Sequence, residues 1–186
     1  MKDRSIETIE GAQRELRRAY LRGGPGTVVS GLVWLAAGAA AHQRGVRAGF
    51  LLLYFGGMLI FPLSQLITRS LLRQPTHHPG TLGARIVGET VVPMIGGLLG
   101  AWLLLPYRPL LVFPVAAVAV GAHYFGFRSA YGDRTFWLLG SILCAIGLIP
   151  IFLITAPAHT VAYAVSGVEV LIGSWLTAQS RAQLKR

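Results

Sequence analysis

Three ionisable side chains stand inside otherwise apolar stretches, and they have the chemistry to exchange protons or hold cations: Glu89, His123 and Glu169. Glu89 opens the run Gly88-Glu89-Thr90-Val91-Val92-Pro93-Met94-Ile95-Gly96-Gly97-Leu98-Leu99-Gly100. At helical spacing Glu89, Pro93, Gly96 and Gly100 fall on one stripe, with bulky residues over much of the rest. Pro93 lacks the N–H that would bond the carbonyl of Glu89, so an acid and a freed carbonyl share one turn. A helix with a small or charged stripe and bulky residues elsewhere is expected to turn the stripe inward in a membrane bundle. Glu169 lies in a similar pattern, sharing a stripe with Ser166, Gly173 and Thr177.

Depth along the helices sorts these groups. Glu89 is four residues past Arg85, about 6 Å in from a polar boundary, and His123 is five residues before Arg128, about 7 Å in. Ser64 and Gln65 precede Arg69, and Ser141 is early in its own apolar run. These five are expected to cluster as a polar cavity facing the cytoplasm. Glu169 is about 15 Å from Gln179, near the midplane, where desolvation disfavours a carboxylate. Ser64, Gln65, Ser141 and Ser166 are candidate lining for a site built on Glu89, His123 and Glu169. Each has a plainer reading. Glu89 could snorkel or pair with Arg85, His123 could make an interfacial hydrogen bond, and Glu169 could only hold helices together.

The elements that must carry these residues are six apolar runs, at about 26–41, 46–68, 86–106, 110–127, 136–155 and 160–178. Each is long enough to approach or cross a core of about 30 Å. The chain is 53% hydrophobic and only 13% charged, with mean hydropathy +0.57. Soluble domains carry about 25% charged residues, so lipid is the expected solvent. The fold class is all-α, a polytopic membrane bundle of six transmembrane helices preceded by an amphipathic helix. The domain plan is an interfacial helix and glycine hinge over 1–25, the six-helix domain over 26–178 and a basic tail over 179–186.

Of the 17 Lys and Arg residues, all but Arg44, Arg47 and Arg108 fall on the N-terminus, the tail or alternate loops. That asymmetry places both termini in the cytoplasm. It also explains the net charge of +10 without a nucleic-acid partner. Residues 3–22 form an amphipathic helix with Ser5 as a candidate cap, Glu7 and Glu10 early, arginines late, and Ile6, Ile9, Leu16 and Tyr20 on one face. It either lies in the anionic cytoplasmic leaflet or serves only as a topogenic charge cluster. Gly23-Gly24-Pro25-Gly26 is expected to stop it. A twin-arginine export signal (Arg17-Arg18 with Ala39-Ala40-Ala41) competes with this reading, but five further spans make it redundant.

Arg18-Ala19-Tyr20, Gly24-Pro25-Gly26, Ser30-Gly31-Leu32-Val33-Trp34, the run from Phe55 to Ser64 and Tyr131-Gly132 together resemble an uncharacterised family of small bacterial integral membrane proteins. The resemblance implies a bacterial inner-membrane location and supplies no catalytic residues. Tyr131-Gly132-Asp133 reads as a turn. Prolines at 62, 93, 114 and 150 raise the prospect of broken, transporter-like helices.

His77-His78 lacks companion ligands, so no metal is expected, and Cys144 has no intrachain disulfide partner. No nucleophile elbow, zinc-protease motif or P-loop occurs, so neither enzymatic activity nor a cofactor is expected. The leading reading is a small transporter or ion- or proton-coupled permease using Glu89, His123 and Glu169. The alternative is a non-transporting scaffold or partner subunit. Lipid is the expected partner, and a homo-oligomer stays open.

Overall fold

The computed structural model describes residues 8–72, 74 and 82–184, and among these the secondary structure is entirely helical. Helix α1 spans Ile9–Ala19, α2 Gly24–Arg44, α3 Val46–Leu66, α4 Leu82–Leu104, α5 Val112–Tyr131, α6 Thr135–Phe152 and α7 Ala158–Leu184. Single helical turns at Leu21–Gly23, Ile67–Leu71 and Pro109–Leu111 join some of them. The six helices α2 to α7 are each long and apolar enough to cross a membrane. Hydropathy thus located every long helix, and the observed helices overrun most of the apolar runs at one or both ends.

Helix α1 begins later than the charge pattern suggests. Its cap is Thr8, whose hydroxyl accepts the Gly11 N–H at 3.2 Å. Ser5, Ile6 and Glu7, and the His77-His78 pair, lie outside the described residues. The break also comes early. Leu21, Arg22 and Gly23 adopt left-handed backbone, while Gly24-Pro25-Gly26 forms the first turn of α2 with proline where its missing N–H costs nothing. Nor does proline break the other helices. Pro62, Pro93 and Pro150 lie within continuous helix, and Pro114 sits in the first turn of α5.

Two three-helix layers make the bundle. Helix α2 is flanked by α3 and α7, and α5 is flanked by α4 and α6; contacts of α7 with α5 and α6 join the layers. The chain therefore exchanges its third and last long helices between halves, and α3 and α4 barely touch although they are consecutive. Close approach is set by small residues. A Cβ on Gly121 of α5 would stand 2.8 Å from Cys144 Sγ and 2.9 Å from the Gly140 carbonyl of α6. Gly31 of α2 meets Val170 and Glu169 of α7 in the same way. Backbones this near gain dispersion contacts without needing a water-driven core.

Helix α4 is turned differently from expectation. Gly97 and Leu98 face the bundle, with Gly97 against Ala119, and Ala101 is buried. Glu89, Pro93, Gly96 and Gly100 are exposed, and no atom would meet a Cβ at Gly96 or Gly100. The stripe read as inward faces outward. The reason is that Thr90, Met94, Gly97 and Ala101 make an equally narrow seam one residue on, and Thr90 fits against Gly126 of α5.

Helix α1 is also placed unexpectedly. Ala12, Leu16 and Ala19 are buried against the end of the bundle, Leu16 and the Ala130 carbonyl both standing against Gly83, while Ile9 is exposed. Its apolar face is covered by protein, and the buried face is narrower than the one read from Ile6, Ile9, Leu16 and Tyr20.

Candidate functional site

Among the described residues the most buried ionisable group is Glu169, with no exposed surface at all. It lies midway along α7, where α2 and α5 converge. The Tyr124 hydroxyl of α5 donates to Glu169 Oε1 at 2.8 Å. Ser30 of α2 lies beside both groups and Thr27 beside Tyr124, with Ser166 buried one turn away on α7. Oε2 has no hydrogen-bond partner. Three helices thus contribute hydroxyls around one carboxyl group that no water-sized probe reaches. A buried carboxyl group with one oxygen unpartnered is costly, so the hydroxyls around it are what make the site tolerable.

Aromatic packing shuts this site from the charged end. Tyr124 stacks on Phe136 at 6.1 Å, and Phe127 meets Tyr124, Tyr131 and Phe136 at 5.3 to 5.7 Å. Below that layer is an ionic latch. Arg22 donates to Asp133 through Nε at 2.8 Å and through a second nitrogen, donates to Gln179, and lies over the Trp175 ring. Arg17 donates to the Tyr131 carbonyl, and Gln13 to the Ser129 carbonyl at 2.9 Å. Burial pushes the Asp133 carboxyl up, but the Thr135 N–H and the Arg22 guanidinium outweigh it and hold it below its ordinary value. Tyr131-Gly132-Asp133 is a turn, as expected, with Gly132 left-handed; its aspartate ties the start of α6 to Arg22 of the Leu21–Gly23 turn, and Arg22 reaches α7 through Gln179.

The other candidate residues are dispersed. His123 lines a cavity of about 250 Å³ between α4 and α5, with Thr90, Met94 and Gly97, and its Nδ1 is buried without a partner. Glu89 is one residue from Thr90 yet points outward and does not line that cavity. Ser141 is exposed on α6. Ser64 donates to its own helix at the Phe61 carbonyl, 2.9 Å, and Gln65 reaches the Tyr20 hydroxyl at 3.4 Å. Of the seven residues singled out, only Glu169 and Ser166 share a buried neighbourhood. No group of three metal-binding side chains occurs among the described residues.

Sequence reasoning missed Tyr124, Ser30, Thr27 and the Arg22–Asp133–Gln179 latch. Tyr124, Phe127 and Tyr131 recur at helical spacing, which marks one aromatic face of α5, and that signal could have named Tyr124. The latch joins residues more than 100 positions apart and had no local signal. No curated protein and no solved structure gives a significant match to this chain. The family described as "Family of unknown function (DUF7010)" matches residues 9–179, nearly the whole chain, and the chain belongs to that family.

Proposed function

We propose that the protein is a multi-pass integral membrane protein of the bacterial inner membrane, with both termini cytoplasmic, acting as a scaffold or partner subunit and not as an enzyme. Large apolar side chains cover its outside: Val92, Leu103 and Leu171 are each at least 70% exposed, and Phe55, Met58, Leu59 and Phe61 crowd α3. Water would not tolerate so continuous a surface, and a hydrocarbon solvent would. The distribution of Lys and Arg supports the orientation.

The observation that carries the functional reading is the sealing of Glu169. An acid that is fully buried, bonded to Tyr124 and closed off by aromatic rings fits a group that holds α2, α5 and α7 in register. The unpartnered Oε2 favours the second reading, in which Glu169 is a proton site of a small permease seen closed. Reconstituted vesicles carrying a pH-sensitive dye separate the two. The scaffold reading expects proton uptake no faster than in empty vesicles, for the parent and for Glu169→Gln alike. Uptake by the parent that Glu169→Gln abolishes would replace it with the permease reading.

A further inference from the structure

A cavity of about 680 Å³ opens at the end of the bundle opposite α1, and neither the scaffold nor the permease reading uses it. Arg44 and Arg47, from the turn between α2 and α3, form one wall with Gly45; Trp102, Leu103 and Tyr107, from the end of α4 and the loop after it, form another. Both arginines are exposed and make no hydrogen bond or ion pair among the described residues. Among the described residues no carboxylate stands on this end: Glu10 and Glu15 are on α1, Asp133 and Glu89 belong to the other end, and Glu169 is mid-helix. The two guanidiniums therefore face a cavity with nothing to neutralise them.

The backbone adds to this. Helix α3 starts at Val46 behind Gly45, and no side chain caps it. Its first N–H groups are open and carry the positive end of the helix dipole. Guanidinium pairs and open N–H groups together suit an oxyanion, phosphate above all, because the fork geometry allows bidentate bonding.

The opposite wall is apolar and open to the side. Trp102 packs edge-on against Phe50 at 5.9 Å and Tyr54 at 6.2 Å, closing the floor where α3 and α4 otherwise diverge. Leu103 is 70% and Tyr107 80% exposed. A ligand bound here presents its anionic group to the arginines and an apolar portion to α3 and α4.

We propose that this cavity binds an anionic phospholipid, its phosphate between Arg44 and Arg47 and its acyl chain along the α3–α4 surface. The proposal rests on the membrane reading. Its test uses the full chain in phosphatidylcholine vesicles, with brominated acyl chains carried either by phosphatidylglycerol or by an equal fraction of phosphatidylcholine. The Trp102 signal is the difference between the parent and Trp102→Phe. Brominated phosphatidylglycerol should quench Trp102 more strongly, and an Arg44→Gln, Arg47→Gln double variant should lose that preference by about thirtyfold, since each of the two cations contributes about 1 kcal/mol near a lipid surface and about 1.4 kcal/mol is a factor of ten.

Removing these two cations strengthens the positive-inside asymmetry, so the variant keeps its orientation, and its unfolding midpoint should match the parent. Equal quenching by the two lipids, or a preference that the double variant retains, would overturn the site while leaving the membrane reading intact. Loss of the preference on adding inorganic phosphate would make it a free-anion site and overturn the lipid. No quenching by either lipid, with the protein failing to float with the vesicles, would overturn the membrane reading as well.

Discussion

Two carboxylates show how placement decides what an acid does. Asp133 sits in a polar turn, ion-paired to Arg22 and bonded to the Thr135 N–H, so it is stabilised as an anion. Because its folded value is held below the unfolded one, the latch contributes stability above the ordinary carboxylate range and loses it as pH falls through the folded value. Unfolding midpoints in detergent should therefore be flat near neutrality and drop below about pH 4. Asp133→Asn should lower stability by about 1–3 kcal/mol at pH 7 and remove most of that acid-limb drop. An unchanged acid limb in the variant would show that the latch does not govern it. Glu169 has only hydroxyl partners and no cation. Replacing Tyr124 by Phe should cost about 0.5–1 kcal/mol, while Glu169→Ala, which also opens a cavity, should cost about 2 kcal/mol or more. Glu169→Gln keeps the size and should cost less than either.

At the scale of helices, α4 and α5 give opposite lessons about glycine. Gly121 of α5 faces Gly140 and Cys144 with no room for a side chain, whereas Gly96 and Gly100 of α4 face outward into open space. Gly121→Val should destabilise the bundle by several kcal/mol by forcing α5 and α6 apart, and Gly100→Val should be neutral within about 1 kcal/mol. Equal effects would mean that α4 is rotated from its described position. The six apolar helices were legible because their runs are long and nearly free of charge. The facing of α4 was not, because two narrow stripes of small residues lie side by side on it. Only the shape of α5, with Gly126 receiving Thr90, selects between them. The docking of α1 was hidden likewise, since a face suited to lipid is also suited to the end of a bundle. Leu16→Ala should therefore cost about 2–4 kcal/mol, read as a lower unfolding midpoint in detergent.

Across the whole molecule, the two layers, the latch beneath α1 and the cationic end around Arg44 and Arg47 form a polarised object. One end carries the Arg22–Asp133–Gln179 latch, and the other carries Arg44, Arg47 and Arg108 with no acid among the described residues. A reporter fused after Arg186 should be active only as a cytoplasmic fusion, and one at Arg108 only as a periplasmic fusion. Burial of Glu169 could be anticipated from its distance to the flanking polar residues, but the partners that seal it could not. Tyr124 and Ser30 are 45 and 139 positions away, and only the exchange of α7 into the α2 layer brings them together. The central claim is that this acid is closed to water. It is tested most directly by a water-soluble carbodiimide applied to the folded protein in vesicles at mildly acidic pH, with peptide masses read after digestion. Glu10, which is exposed on α1, should be modified, and Glu169 should not. Modification of Glu169 at a rate comparable to Glu10 would contradict it.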